Sequence, residues 1–173
     1  WYGVDLDPGR VIVTSGSSGA FVLAFSALFD TGARVGLADP GYPSYRQILK
    51  ALGLTPVGFQ ASAANRYQPV PSDLTEDLDG LMVASPSNPA GTMLGHDGIA
   101  KLADVCAGRG ISLISDEIYH GLHYDDRAVS ALEVTDDVYV INSFSKYFSM
   151  TGWRVGWMVV PEDHAKTVER LAQ

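Results

Sequence analysis

The sequence predicts an α/β fold in three layers, a mostly parallel seven-stranded sheet with helices on both faces. Three observations lead there. Seven short apolar or β-branched runs recur along the 173 residues, helical patterns separate most of them, and a 46% hydrophobic content is enough for a buried core. Strands that alternate with helices need crossover connections, and crossovers produce parallel neighbours covered on both sides.

The elements follow in order. Val11 to Thr14 is the first strand, and "SGSSGA" leads from it into a helix over Gly19 to Phe29. Arg34 to Ala38 is the second strand, followed by the turn "DPGYPSY" and a helix over Ser44 to Leu52. Thr55 to Phe59 is the third. "ASAANRYQPVPSD" then reads as a surface connection inside the domain, because turn formers dominate it. Leu81 to Ala84 is the fourth strand, and His96 to Ala107 is a helix closed by "GRG" in the manner of a C-cap glycine. Ser112 to Ser115, Val138 to Asn142 and Val155 to Val160 complete the seven. The last two lie too close together for a full crossover helix, so one strand is expected to run antiparallel or to enter from elsewhere in the order. "PEDHAKTVERLAQ" reads as a helix without a C-terminal cap, and with no initiator Met at residue 1 the chain is expected to be one domain, residues 1–173, of a longer protein.

Composition removes several function classes. A formal charge of -8 with no Lys/Arg cluster offers no field for a nucleic-acid backbone, so no nucleic-acid partner is expected. The apolar stretch "AFVLAFSALF" is far short of a membrane span, and a soluble, cytoplasmic protein is expected. Cys106 is the only cysteine and lies in the apolar pattern of a helix, so it reads as a packed core thiol. His120 and His123 lack a zinc-binding pattern and read as surface loop residues, with a place at the pocket mouth left open for His120, so no metal site is expected.

Ligands of an open parallel sheet bind at the carboxyl ends of its strands, so the residues after each run are read together. Gly16, Ser17 and Ser18 after the first run form either a plain N-cap or a seat for an anion at a helix start. Tyr42 between Gly41 and Pro43 is either a loop aromatic or a ring that stacks on a flat ligand. Asn88 can make an Asx turn or donate to a ligand oxygen. Asp116 ends a strand buried on both faces, where an ionised carboxylate requires a cation: Arg, Lys, or a protonated ring nitrogen of a ligand. Tyr119 lies three residues on, near enough for the same pocket, while Glu117 points away and reads as structural. Ser143, Ser145 and Lys146 follow the sixth run, with Arg154 eight residues after the lysine. Phe144, Tyr147, Phe148 and Met150 would partly desolvate Lys146 and free its amine to attack a carbonyl; alone, such a lysine would snorkel to water. Taken together, these groups suit a flat, phosphorylated ligand with a ring nitrogen and an aldehyde. Pyridoxal 5'-phosphate has all of these, and its usual protein partners are a lysine and an acid facing the ring nitrogen.

The segments "TSGSSGA", "DPGYPSY", "SPSNPAGT", "SDEIYHGL" and "NSFSKYFSMTGWRVGW" resemble, in order, the class I/II aminotransferases of the aspartate-aminotransferase fold type. The resemblance implies that Lys146 forms the Schiff base with the cofactor and shuttles the substrate proton, and that Asp116 keeps the ring nitrogen protonated. It implies that Tyr119 and Asn88 bond the ring hydroxyl oxygen and that Tyr42 stacks on the ring. Gly16, Ser17, Ser18, Ser143 and Arg154 would bind the phosphate. It further implies transfer of an amino group between an amino acid and a 2-oxo acid, one antiparallel strand in the sheet, and a homodimer. The chain would be the large domain, without the small domain and its substrate-binding arginine, and inactive on its own. Carbon-sulfur lyases and aminocyclopropane-carboxylate synthases share these motifs, and some transcription regulators carry a non-catalytic sensor domain of this type.

Overall fold

The computed structural model describes residues 2–74 and 77–173. The strands are β1 (Val11–Thr14), β2 (Arg34–Asp39), β3 (Thr55–Gln60), β4 (Gly80–Ala84), β5 (Ser112–Asp116), β6 (Tyr139–Ser143) and β7 (Gly156–Val159). The helices are α1 (Gly16–Leu28), α2 (Pro43–Ala51), α3 (His96–Arg109) and α4 (Glu162–Ala172). All seven strands form one sheet in the order β1-β7-β6-β5-β4-β2-β3. β7 runs antiparallel to both β1 and β6, and the remaining pairs are parallel. The short β6–β7 connection therefore produces the antiparallel strand that its length requires.

Side chains alternate across a strand, and the core is divided accordingly. Met82, Ile114, Ile141 and Met158 face one side, where they pack with Phe21 and Phe25 of α1, Leu49 of α2 and Val168 of α4. Leu81, Val83, Leu113, Val140 and Val159 face the other, against Ile99, Leu102 and Cys106 of α3. Cys106 is buried as expected, and burial pushes its thiol up to about 11. Three helices thus cover one face and a single helix covers most of the other. The helix α3 ends where Gly110 adopts φ +66, the left-handed conformation that glycine accepts without strain.

Two expectations need correction here. α1 begins at Gly16, not Gly19, so Ser17 and Ser18 lie in its first turn. The segment Ala61 to Asp73 is not simply a surface connection, because Gln68 is buried and its amide donates to the carbonyls of Ala84 and Thr92. That ties the segment to the carboxyl end of β4. Among the described residues, no helix is long and apolar enough to cross a membrane.

Candidate active site

A cavity of about 230 Å³ opens at the carboxyl ends of β4, β5 and β6, beside the starts of α1 and α2. Ser17, Ser18, Tyr42, Asn88, Asp116, Tyr119, Lys146 and Arg154 all line it. Residues up to 137 positions apart in sequence meet because each follows a strand of the same sheet.

Asp116 is the last residue of β5 and lies between Ala84 of β4 and Ile141 of β6, so the sheet buries it to 4% exposure. Burial pushes its carboxyl up to about 6, against hydrogen bonds from Tyr45 and the Ile118 N–H and the attraction of Lys146, all of which favour the charged form. A buried carboxylate of this kind gains most from a cation on its open side. Asn88 donates to the Tyr119 hydroxyl at 3.1 Å, which fixes the orientation of that phenol. The Lys146 amine lies 5.5 Å from the centre of the Tyr119 ring. The Tyr42 ring meets Tyr45 edge-on at 5.4 Å.

The opposite end of the cavity brings a helix start and a guanidinium together, an arrangement that can receive an anion. Ser15 caps α1 without a side-chain hydrogen bond, and the first turn has no acidic residue, so the helix start keeps its N–H donors and positive end. Gly16 has φ +70, and a Cβ there would stand 2.5 Å from the Arg154 guanidinium. Only glycine lets that guanidinium lie against the helix start. Gly156 makes the same demand from below: a Cβ would meet the backbone of Gly16, Ser17 and Asn142 at 2.7–2.9 Å. The close approach of β7 to α1 thus sets where this end of the cavity lies.

Ser143 is buried and does not line the cavity directly. Its hydroxyl lies 2.8 Å from the Ser145 hydroxyl and 3.1 Å from the Val155 carbonyl, and it accepts the Ser145 N–H. Ser145 and Thr151 are the hydroxyls that reach the cavity from this loop. Glu117 points away from the cavity, as expected. It is buried, accepts from Ser115 and the Ala131 N–H, and burial pushes it up to about 7.

The aromatic surroundings expected for Lys146 are not there. Phe144 packs on Trp157 at 4.9 Å, and Tyr147 and Phe148 line a separate apolar hollow with Tyr2, His120 and Trp157, while Lys146 itself is exposed. The chain turns sharply after β6, where Ser149 has φ +56, and sequence neighbours of the lysine become neighbours of something else. His120 is likewise not a surface residue. It is buried, its Nδ1 accepts from the Tyr2 hydroxyl, its Nε2 donates to the Ser85 carbonyl, and burial lowers it to about 4.

Tyr45 escaped the sequence reading. It is buried, and its hydroxyl donates to Asp116 Oδ2. The signal was available: Tyr42 and Tyr45 are three apart at a helix start, which puts both on one face.

The family model described as aminotransferase class I and II matches residues 1–173. The chain is 45% identical to the valine–pyruvate aminotransferase of Mycobacterium tuberculosis, an alignment covering 98% of this chain and 45% of that protein. It is 34% identical to a probable aspartate/prephenate aminotransferase of Aquifex aeolicus, covering 97% and 45%. A solved structure of a candidate aminotransferase from Silicibacter pomeroyi superposes with a TM-score of 0.99 at 67% identity, covering 100% of this chain and 47% of that one. The chain therefore spans less than half the length of these relatives.

Proposed function

The chain belongs to the class I and II aminotransferases, and on that premise we propose that the protein it forms part of moves an amino group between an amino acid and a 2-oxo acid, with pyridoxal 5'-phosphate in the cavity described above. The observation that carries the proposal is one juxtaposition. Asp116 ends β5 and Lys146 follows the adjacent β6, and both line one cavity, which also contains Arg154 and the start of α1, where no side chain caps the N–H donors.

The residues fit the cofactor by their chemistry. A buried carboxylate suits a protonated ring nitrogen, the guanidinium cradled by Gly16 suits a phosphate, and an exposed amine suits an aldehyde. When bound, the cofactor supplies a carbonyl carbon that accepts an amino group and a ring that draws electrons from the substrate. Asp116 would accept a hydrogen bond from the protonated ring nitrogen, and its negative charge would keep that proton on the ring. Asn88 and Tyr119, already bonded to each other, would hold the ring hydroxyl oxygen. Tyr42 covers one face of the ring. Arg154 pairs with the phosphate, and Gly16, Ser17 and Ser18 offer the donors of the helix start. Ser143 acts at the same end by holding Ser145. Lys146 would hold the cofactor's aldehyde carbon through its Nζ, and the same amine, when free, would be placed to take and hold the proton of the substrate α carbon.

We read the chain as the cofactor-binding part of a longer, cytoplasmic, homodimeric protein whose remainder contains the small domain. The share of its relatives that it covers supports the reading as a part of a longer protein, and on that reading the chain is inactive alone. The relatives' aminotransferase names favour transfer over lyase or sensor roles. The test is a ¹⁵N-labelled amino acid given to the full-length protein with the cofactor and a 2-oxo acid. Label is expected on the oxo acid and only when that acceptor is present. Release of labelled ammonia without an acceptor would overturn the reading in favour of a lyase.

A further inference from the structure

Asp116 is held from a second side by a group that the roles above leave out. Tyr45, in the first turn of α2, is 6% exposed and donates its hydroxyl proton to Asp116 Oδ2, while Oδ1 accepts the Ile118 N–H at 3.1 Å. We propose that Tyr45 is a positioning residue for the transfer reaction: its neutral O–H holds the Asp116 carboxylate ionised and aimed into the cavity, so that a protonated ring nitrogen meets a full negative charge. This rests on the reading of Asp116 given above.

The geometry restricts what else the contact can be. The Tyr45 ring is clamped edge-on between Phe21 at 5.1 Å and Tyr42 at 5.4 Å, so the hydroxyl has little freedom to point elsewhere. The chemistry of the donor matters as much. A lysine or arginine at this place would stabilise the carboxylate by neutralising it, and the pair would have little attraction left for a cationic ligand. A phenol stabilises the anion by one hydrogen bond and leaves its charge in place. Burial and the neighbouring carboxylate hold the Tyr45 phenol well above its ordinary value, so it stays a donor throughout the working range.

The other groups that bear on Asp116 do not substitute for it. Tyr119 follows in the next loop, and its hydroxyl is engaged by Asn88. Lys146 attracts Asp116 but is exposed, and among the stabilising influences on Asp116 it follows both hydrogen bonds. Glu117 is buried, accepts from Ser115 and the Ala131 N–H, and donates nothing to Asp116. Without the Tyr45 hydroxyl, burial would push Asp116 from about 6 toward neutrality. A protonated acid would then present its own proton where the ring nitrogen needs an acceptor.

Tyr45→Phe in the full-length protein keeps the ring contacts and removes only the hydroxyl, and a thermal melt establishes that the variant is folded. The first readout needs no cofactor: infrared titration of the Asp116 carboxyl, labelled with ¹³C. The variant is expected to titrate higher by about one pH unit, in keeping with a lost hydrogen bond to a charged group. The second is the cofactor Kd across pH 6–9: a one-unit rise leaves about half of the variant's carboxyl ionised at pH 7, so Kd is expected to rise about twofold there and about fivefold at pH 6, and to converge on the parent's in alkali. A purely structural defect would weaken binding equally at every pH. Replacing Tyr45 by 3,5-difluorotyrosine, a stronger donor, is expected to shift the Asp116 titration downward. An Asp116 titration that neither substitution moves would overturn the role of Tyr45. An Asp116→Asn variant that binds the cofactor as tightly as the parent would instead overturn the reading of Asp116 itself.

Discussion

The ionised Asp116 should make the cofactor-free protein less stable than it could be, and the cost can be worked out. Burial raises the carboxyl from an ordinary 3.8 to about 6. With 1.36 kcal/mol for each pH unit of displacement, carrying this charge at neutral pH costs about 3 kcal/mol. The sign follows from which state holds the proton. Below pH 4 the carboxyl is protonated whether the chain is folded or not, and the cost is absent. Between pH 4 and 6 the unfolded chain ionises first, so stability falls as pH rises, and above 6 it levels off. Asparagine does not ionise, and it keeps both contacts by accepting from the Ile118 N–H and donating to the Tyr45 oxygen. Urea unfolding of cofactor-free parent and Asp116→Asn at several pH values measures the difference. The variant is expected to match the parent near pH 4 and to exceed it by about 2–3 kcal/mol at pH 8. Asp116 raises Glu117 as a like charge, so the substitution also lowers Glu117, which adds to the difference in the same direction. A difference that is constant with pH, or a variant less stable at pH 8, would refute the reasoning and mean that Asp116 is fully paired within the protein. The same substitution is expected to raise the cofactor Kd at least tenfold, because a site made for a cation has lost its charge.

Glu117→Gln tests the neighbouring buried acid. Burial raises Glu117 from 4.5 to about 7, so the parent loses stability as pH rises through that window. The glutamine variant, which can still accept from Ser115 and Ala131, is expected to have a flatter curve between pH 4.5 and 7, read by urea unfolding. Gly16→Ala places a Cβ 2.5 Å from the Arg154 guanidinium at φ +70. It is expected to cost about 1–2 kcal/mol of stability and to weaken cofactor binding, while affinity for the phosphate-free pyridoxal changes little; both affinities are read by absorbance titration.

Much of this was legible in the sequence, for reasons that can be named. β1 occupies Val11–Thr14 as expected, and the other six strands fall within one residue of their expected ends, because buried strands read as uninterrupted apolar runs bounded by turn formers. Strand order was not legible, since no local pattern states which runs pair. The start of α1 was missed because "SGSS" reads as loop, while in the fold Gly16 takes a left-handed conformation and the helix begins there. Lys146, Asp116, Tyr119, Asn88, Tyr42 and Arg154 were expected to converge because each follows a strand, and they do line one cavity. Side-chain directions inside an irregular loop were another matter. Phe144, Tyr147 and Phe148 flank Lys146 in sequence but pack away from it. His120 was misplaced because Tyr2, the side chain that covers it, lies 118 positions away.

The central claim is that Lys146 is the amine that anchors the cofactor. The most direct test is the mass of the full-length protein after incubation with pyridoxal 5'-phosphate and borohydride, with peptide mapping, beside Lys146→Ala. One reduced cofactor adduct per chain, mapped to Lys146 and missing from the folded variant, is the predicted result. An adduct on another lysine, or none on a folded parent protein, would contradict it.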